Sequence, residues 1–280
     1  MMPEHEARDL TSAIDCLYEA AGCALSSLHG SQASGLGYYE SSCEALLLHV
    51  LVVRHTEAFC GVAREGFECL PSAQVLARAA FEVAVRCLWM LAPSDPFARE
   101  ARWLALLEEW EQDSEKLARA GAAPPGLTTT EIRRFRSSVE QLLAGRGYSK
   151  PRGRRSAAPT FHAMLTDLSR VQDYANYMRL SKPVHGTLGA TAMYRRGLGN
   201  AKVFVEDIDP RRWRDEIAFV WRNLDVVTGR IAAVLQEINV LPAEHPPFAS
   251  VEFRRRFEDL LGPRRVFRAR TVRRLTAGRS

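Results

Sequence analysis

Residues 209–239, DPRRWRDEIAFVWRNLDVVTGRIAAVLQEIN, decide the fold class. Asp209-Pro210 is a cap-and-proline helix start, because the aspartate side chain accepts from free backbone N–H groups and proline suits the first turn. After it Trp213, Ile217, Val220, Leu224, Val227, Ile231, Val234 and Ile238 recur in alternating steps of four and three. That period lays one apolar seam along a long helix and predicts a partner helix at a shallow crossing angle. Pro242, Pro246 and Pro247 end the pattern.

Working outward, the same period recurs. Leu10, Ile14, Leu17, Ala21, Ala24 and Leu28 predict a helix over about 4–29, and GSQASGLG at 30–37 breaks it. Further helices are expected at about 39–66, from Pro71 onward, at about 96–120 behind Asp95-Pro96, and from the capping box Thr128-Thr-Thr-Glu131 to Gly145. GRGYSKPRGRRSAAP (145–159) reads as a surface loop, followed by helices at about 160–170 and 172–182. Val203-Phe204-Val205 is a short strand candidate that cannot form a sheet alone. Nothing alternates with period two, so the expected class is all-α: a bundle of long helices over residues 1–245 with a partly disordered basic extension over 246–280.

Composition excludes other classes. With 280 residues, 46% hydrophobic and 25% charged, the chain is an ordinary globular sequence and not a disordered one. The longest apolar run, 45–53, is short and broken by His49, so no membrane span is expected; the acidic, polar start MMPEHEARDL is not a signal peptide, and the expected location is cytoplasmic. The six cysteines all precede residue 90 without a CxxC pair, which suits buried thiols better than zinc ligands or disulfides. His49 and His55 fall on different helix faces, and no metal or cofactor is expected.

The net charge of +5 is a sum of unlike parts. Residues 251–280 hold ten arginines against three carboxylates, giving +7, and the body is left with −2. A basic tail on a near-neutral body reads as a contact for an anionic partner, RNA or another nucleic acid first, with Arg254, Arg255, Arg264, Arg265 and Arg268 as candidate contacts; the bland alternative is a solvated tail. Lys150, Arg152, Arg154 and Arg155 form a second basic loop. Gly197-Leu-Gly199-Asn200 after Arg195-Arg196 has the makings of a phosphate cradle. Only four of the 38 basic residues are lysine, mostly a habit of composition.

Two segments carry candidate chemistry. In VLARAAFEVAVRCLWML (75–91) only Arg78, Glu82 and Arg86 are charged, and they stand at i, i+4 and i+8 on one line. Glu82 between two arginines reads either as a salt-bridge ladder inside the bundle or as the wall of a polar pocket. In DYANYMRLSKPVHG (173–186), Tyr174, Tyr177 and Ser181 share a helix face, Pro183 disturbs the helix, and His185 emerges at its end, with Arg179 six residues before it. Histidine moves protons near neutral pH. The expected cluster is Arg78, Glu82, Tyr177, Ser181 and His185, tying two helices together or serving a ligand.

Arg78-x3-Glu82 combined with Tyr177-x2-Leu180-Ser181-x3-His185 resembles a family of uncharacterised bacterial all-helical proteins, over roughly residues 43–240. Separately, Arg179-x5-His185 is similar to the Arg-x4–6-His motif of the HEPN superfamily, many of whose members are metal-independent RNA endonucleases of toxin–antitoxin and phage-defence systems. That resemblance implies His185 as the group activating the ribose 2′-hydroxyl or assisting the leaving group, Arg179 as the stabiliser of phosphate charge, and a homodimer that pairs two motifs. Leu180 stands where the family commonly has a polar residue, and Pro183 lies inside the spacer. The alternative is a non-catalytic binding or scaffold module that contacts nucleic acid or a partner protein through its basic C-terminal segment.

Overall fold

The structure is a computed structural model that describes residues 3–29, 39–122, 128–148, 158–186, 195–196, 203–204, 209–242, 247–249 and 251–261. Four long helices form the core: α1 (Glu4–His29), α2 (Glu40–Glu65), α3 (Leu70–Leu91) and α8 (Pro210–Glu237). Both α2 and α8 pack against α1 and α3, and also against each other, so α1 and α3 occupy opposite corners of a rhombus. The side-chain pairs give the directions. Arg64 of α2 bonds Asp15 of α1 while His49 stacks on His29, an antiparallel register. Gln74 of α3 meets Glu216 of α8 and Leu91 meets Arg230, a parallel one. A parallel neighbour needs a long connection. That connection carries α4 (Pro96–Arg119), α5 (Thr129–Ala144), α6 (Phe161–Asp167) and α7 (Tyr174–Val184).

The all-α class is as the apolar periodicity predicts. Seven of the eight seam residues of α8 are buried, while Ile238 lies at the C-cap and is half-buried. The buried face is wider than a two-helix seam and takes in Phe219, Trp221 and Leu235 as well, because α8 has neighbours on three sides. The expected caps form: Asp95 accepts from Phe97 and Ala98, Asp209 from Arg211, and Thr128 with Glu131 closes a reciprocal capping box. Val203–Phe204 does find a partner in Arg195–Arg196, a two-residue antiparallel pairing that sequence reading did not foresee.

By length and composition α2 is apolar enough to cross a membrane, but its place in the bundle gives that composition a use: Val53, Phe59 and Cys60 are fully buried against other helices. Tyr39 supplies no side-chain cap to α2. Glu100 of α4 does so instead, accepting from the backbone N–H and hydroxyl of Ser41 at 2.9 and 2.6 Å. Arginines finish the far end of α3. Arg102 donates to the Trp89 carbonyl, Arg230 to those of Leu91 and Pro93, and Arg99 to those of Pro93 and Ser94. Ala92 N–H closes the last turn on the Trp89 carbonyl at 3.3 Å, and the arginines add donors to carbonyls at and just past the helix end, where cations suit the helix C-terminus.

Candidate functional site

The polar stripe of α3 lies at an edge of the core, where α4, α6 and α7 pack on it. Arg78, its side chain 14% exposed, donates to Glu82 Oε1 from Nε and Nη2 at 3.1 and 2.9 Å. Its Nη2 also donates to the Tyr177 hydroxyl at 3.1 Å, and the guanidinium lies 4.9 Å from the centre of that ring. Partial burial opposes the charge on Arg78. The Glu82 carboxylate and Tyr177 outweigh it and hold the guanidinium's pKa above its ordinary value. The ladder stops there. Arg86 leaves Glu82 and pairs with Glu109 of α4 at 2.5 and 2.9 Å, because the packed helix offers a carboxylate of its own.

Of the five residues expected to cluster, three meet. Arg78, Glu82 and Tyr177 form one bonded group, whereas the Ser181 hydroxyl turns back on its own helix and donates to the Tyr177 carbonyl at 2.6 Å. His185 is the C-cap of α7 and exposed, its backbone N–H donating to Ser181. Among the described residues its ring has no hydrogen-bond partner. Arg179 points elsewhere, onto α8, where Nη1 and Nη2 grip the two oxygens of Glu216. Six residues on an α-helix turn the chain by roughly 240° and advance it about 9 Å, so Arg179 and His185 do not converge within one chain.

Glu216 was not singled out in the sequence, although it sits one residue before Ile217 and three after Trp213, on the side of the helix that proves buried. It is fully buried, and Gln74 Nε2 donates to it at 2.7 Å. Burial opposes the charge on Arg179, and the bond to Glu216 overcomes this and holds its pKa high. A second unforeseen cluster lies nearby. Asp173 accepts from Arg170 at 2.8 Å and Arg222 at 3.1 Å, and Arg170 also donates to Asn223 at 2.7 Å. Burial dominates at Arg170 and pushes its pKa down despite Asp173.

His49 is fully buried. The Thr228 hydroxyl donates to the Leu224 carbonyl at 2.7 Å and so accepts from His49 Nε2 at 2.9 Å, which leaves Nδ1 without a hydrogen or a partner. Burial, with His29 stacked 5.8 Å away, pushes the His49 pKa down to about 3. Among the described residues no three metal-ligating side chains converge. Cys16, Cys60 and Cys87 are buried and Cys23 is exposed; burial pushes the Cys60 thiol up to about 12 and Cys87 higher still.

The basic C-terminal segment begins as a helix, α9 (Val251–Leu261), packed against α1. Phe257 is fully buried, and Phe248, Phe253 and Phe257 surround Trp221 of α8 with ring centres 5.9, 5.7 and 4.8 Å away. Arg254, partly exposed, pairs with Asp225 of α8 at 2.6 Å. Arg255 and Arg256 face outward along a surface groove of about 530 Å³ that Asp9, Asp259 and Leu260 also line. The candidate contacts Arg264, Arg265 and Arg268, the basic loop at 150–155 and the glycine loop at 197–200 lie outside the described residues.

Fold and site together define an all-α protein: a four-helix core with an appended α4–α7 layer and a polar Arg78–Glu82–Tyr177 link between α3 and α7. Comparison with protein-family models, with curated proteins and with solved structures finds no match.

Proposed function

We propose that this chain is a non-catalytic helical module that binds nucleic acid through its arginine-rich C-terminal segment. The observation that carries the reading is the way the segment is attached: Phe257 is buried in the bundle while Arg255 and Arg256, the first outward arginines of the series, stand exposed on the same helix. Seven more arginines follow between 264 and 279, with no carboxylate among them. A polyanion meeting such a segment releases counterions, so its affinity falls steeply with salt. The commitment of Arg179 to Glu216 also supports this reading over a catalytic one, since the guanidinium that a phosphate would need already holds a buried carboxylate.

The test is binding of labelled RNA and DNA across a salt series, with Arg255, Arg256 and the arginines at 264, 265, 268, 270, 273, 274 and 279 replaced by serine in the full chain. Substitution is the right perturbation because deleting residues 251–280 would also remove Phe257 from the core. The expected result is a slope of log affinity against log salt that collapses in the variant, each lost phosphate contact removing roughly 0.7–0.9 from it. An unchanged slope overturns the reading.

The exposure of His185 favours one second reading, RNA cleavage of HEPN type with the rest of the site supplied by another copy. It requires that the purified protein cut single-stranded RNA in EDTA, leaving cyclic phosphate ends, and that His185→Ala abolish the cutting. A folded His185→Ala variant that cuts equally well ends it.

A further inference from the structure

The outer face of α2 is more apolar than a single copy of the chain requires. Among the described residues α2 is the one helix long and apolar enough to cross a membrane, yet 44% of its apolar 18-residue window is buried. The buried side, with His49, Val53 and Phe59, meets the other core helices. On the opposite side Glu40, Glu44, Leu47, Leu51, Arg54 and Ala58 recur in alternating steps of four and three, the spacing that seats a second helix. Leu47 is 63% exposed and Leu51 47%, and Leu48 and Val50 beside them are half-buried.

This face complements itself about the level of residue 49. Leu47 and Leu51 stand at equal distances on either side of that level, and so do Glu44 and Arg54, which carry opposite charges. A second α2 laid antiparallel across it sets leucine on leucine at the centre and carboxylate on guanidinium at both ends. A parallel pair in register instead opposes Glu44 to Glu44 and Arg54 to Arg54. Both charged groups are available. Glu44 has no ion pair among the described residues, and burial raises its pKa despite a hydrogen bond from Trp103. Arg54, 59% exposed, holds Glu57 at 2.6 Å in a surface pair of the kind that contributes little. Residues 40–58 of the two copies overlap along about 28 Å of helix, and with the shoulders of α1 and α4 the strip is about 20 Å wide. The footprint is then roughly 560 Å² per copy, so the total clears the roughly 1,000 Å² of a specific interface.

We propose that the outer face of α2 is the two-fold interface of a homodimer, in which two α2 helices pack antiparallel with Leu47 on the partner's Leu51 and Glu44 paired with the partner's Arg54. Each contact occurs twice, as a two-fold axis requires. The inference goes beyond the nucleic-acid reading and does not rest on it: α7 packs on α3 and α9 on α1, so neither His185 nor the arginine segment belongs to this face.

The experiment is sedimentation velocity on the full chain from about 1 to about 100 µM, the range in which an interface at the small end of the specific class associates. The expected result is a monomer–dimer equilibrium. Leu47→Glu and Leu51→Glu alter exposed residues, and thermal melting checks that both fold; each is expected to weaken the dimer about 100-fold by placing an unpaired charge at its centre. Arg54→Glu opposes two carboxylates at each end and is expected to weaken it about tenfold, and Glu44→Arg added to it restores opposite charges and recovers the affinity. A wild type that stays monomeric throughout the range overturns the proposal. Flotation of that monomer with phosphatidylcholine vesicles, lost in Leu47→Glu, assigns the face to a bilayer instead. A dimer of unchanged affinity in the folded leucine variants overturns this interface. Loss on Leu47→Glu with no effect of Arg54→Glu, or no recovery in a folded double variant, overturns the antiparallel pairing.

Discussion

Arg179 and Glu216 form a two-pronged ion pair across the α7–α8 contact, the carboxylate fully buried and the guanidinium partly exposed. Removing the arginine strands a charge in the core, with Gln74 as its one remaining side-chain partner among the described residues. Breaking a buried pair from one side costs about 3–5 kcal/mol, and the exposure of Arg179 lowers this. Arg179→Ala is therefore expected to destabilise the fold by about 2–3 kcal/mol in urea unfolding. The double variant Arg179→Met with Glu216→Leu recovers most of the loss, because an apolar pair needs no desolvation. A wild-type midpoint for Arg179→Ala contradicts the structural assignment.

Phe257 closes the aromatic socket around Trp221. Phe257→Ala is expected to cost about 3–5 kcal/mol, the usual range for emptying a phenylalanine site in a core. It also frees α9, so the fluorescence of Trp221 shifts to the red before global unfolding. An unshifted spectrum in the folded variant argues that α9 does not depend on this ring.

His49 makes stability depend on pH in a definite direction. Its pKa is about 3 in the fold and near 6.5 in the open chain, so below pH 6.5 the unfolded state takes up a proton that the folded state refuses. The contribution is whole above pH 6.5 and declines by about 1.4 kcal/mol per pH unit as pH falls toward 3. Between pH 6.5 and 5 the wild type should lose about 2 kcal/mol that His49→Leu does not lose. Burial also lowers the pKa of His29 and His55, and the comparison with His49→Leu isolates the His49 contribution. Parallel curves for the two proteins refute the assignment.

Tyr177→Phe removes one acceptor from Arg78 and leaves the Glu82 pair intact. The expected cost is about 1 kcal/mol, the net worth of a hydrogen bond whose donor keeps another partner. Arg78→Met removes the two bonds to Glu82 as well as the one to Tyr177 and should cost more, and a Tyr177→Phe penalty equal to that of Arg78→Met means the hydroxyl carries the whole link.

Much of the fold is legible in the residues because its causes are local. The four-three spacing in α8, the caps at Asp95, Thr128 and Asp209, and the proline starts depend on neighbours within a few positions, and each appears where it is expected. The pairing of Arg78 with Glu82 is equally local, one helical turn apart. The link to Tyr177 is not, since it spans 99 residues, yet the two segments stand out because each places polar groups on an otherwise apolar pattern.

What the sequence by itself determined, then, is an all-helical chain with polar groups on α3 and α7 and its positive charge gathered at one end. Tertiary structure alone decided the rest. Arg86 turned to Glu109, Arg179 to Glu216, and Arg222 to Asp173, because a charge at a packed helix contact pairs with the opposite charge that packing brings nearest, whatever its distance along the chain, and most strictly where the carboxylate is buried, as at Glu216 and Asp173. His185 was left in solvent for the complementary reason. It stands past the end of α7, where no helix among the described residues packs over it, and spacing to Arg179 in sequence does not translate into a shared face on a helix of 3.6 residues per turn.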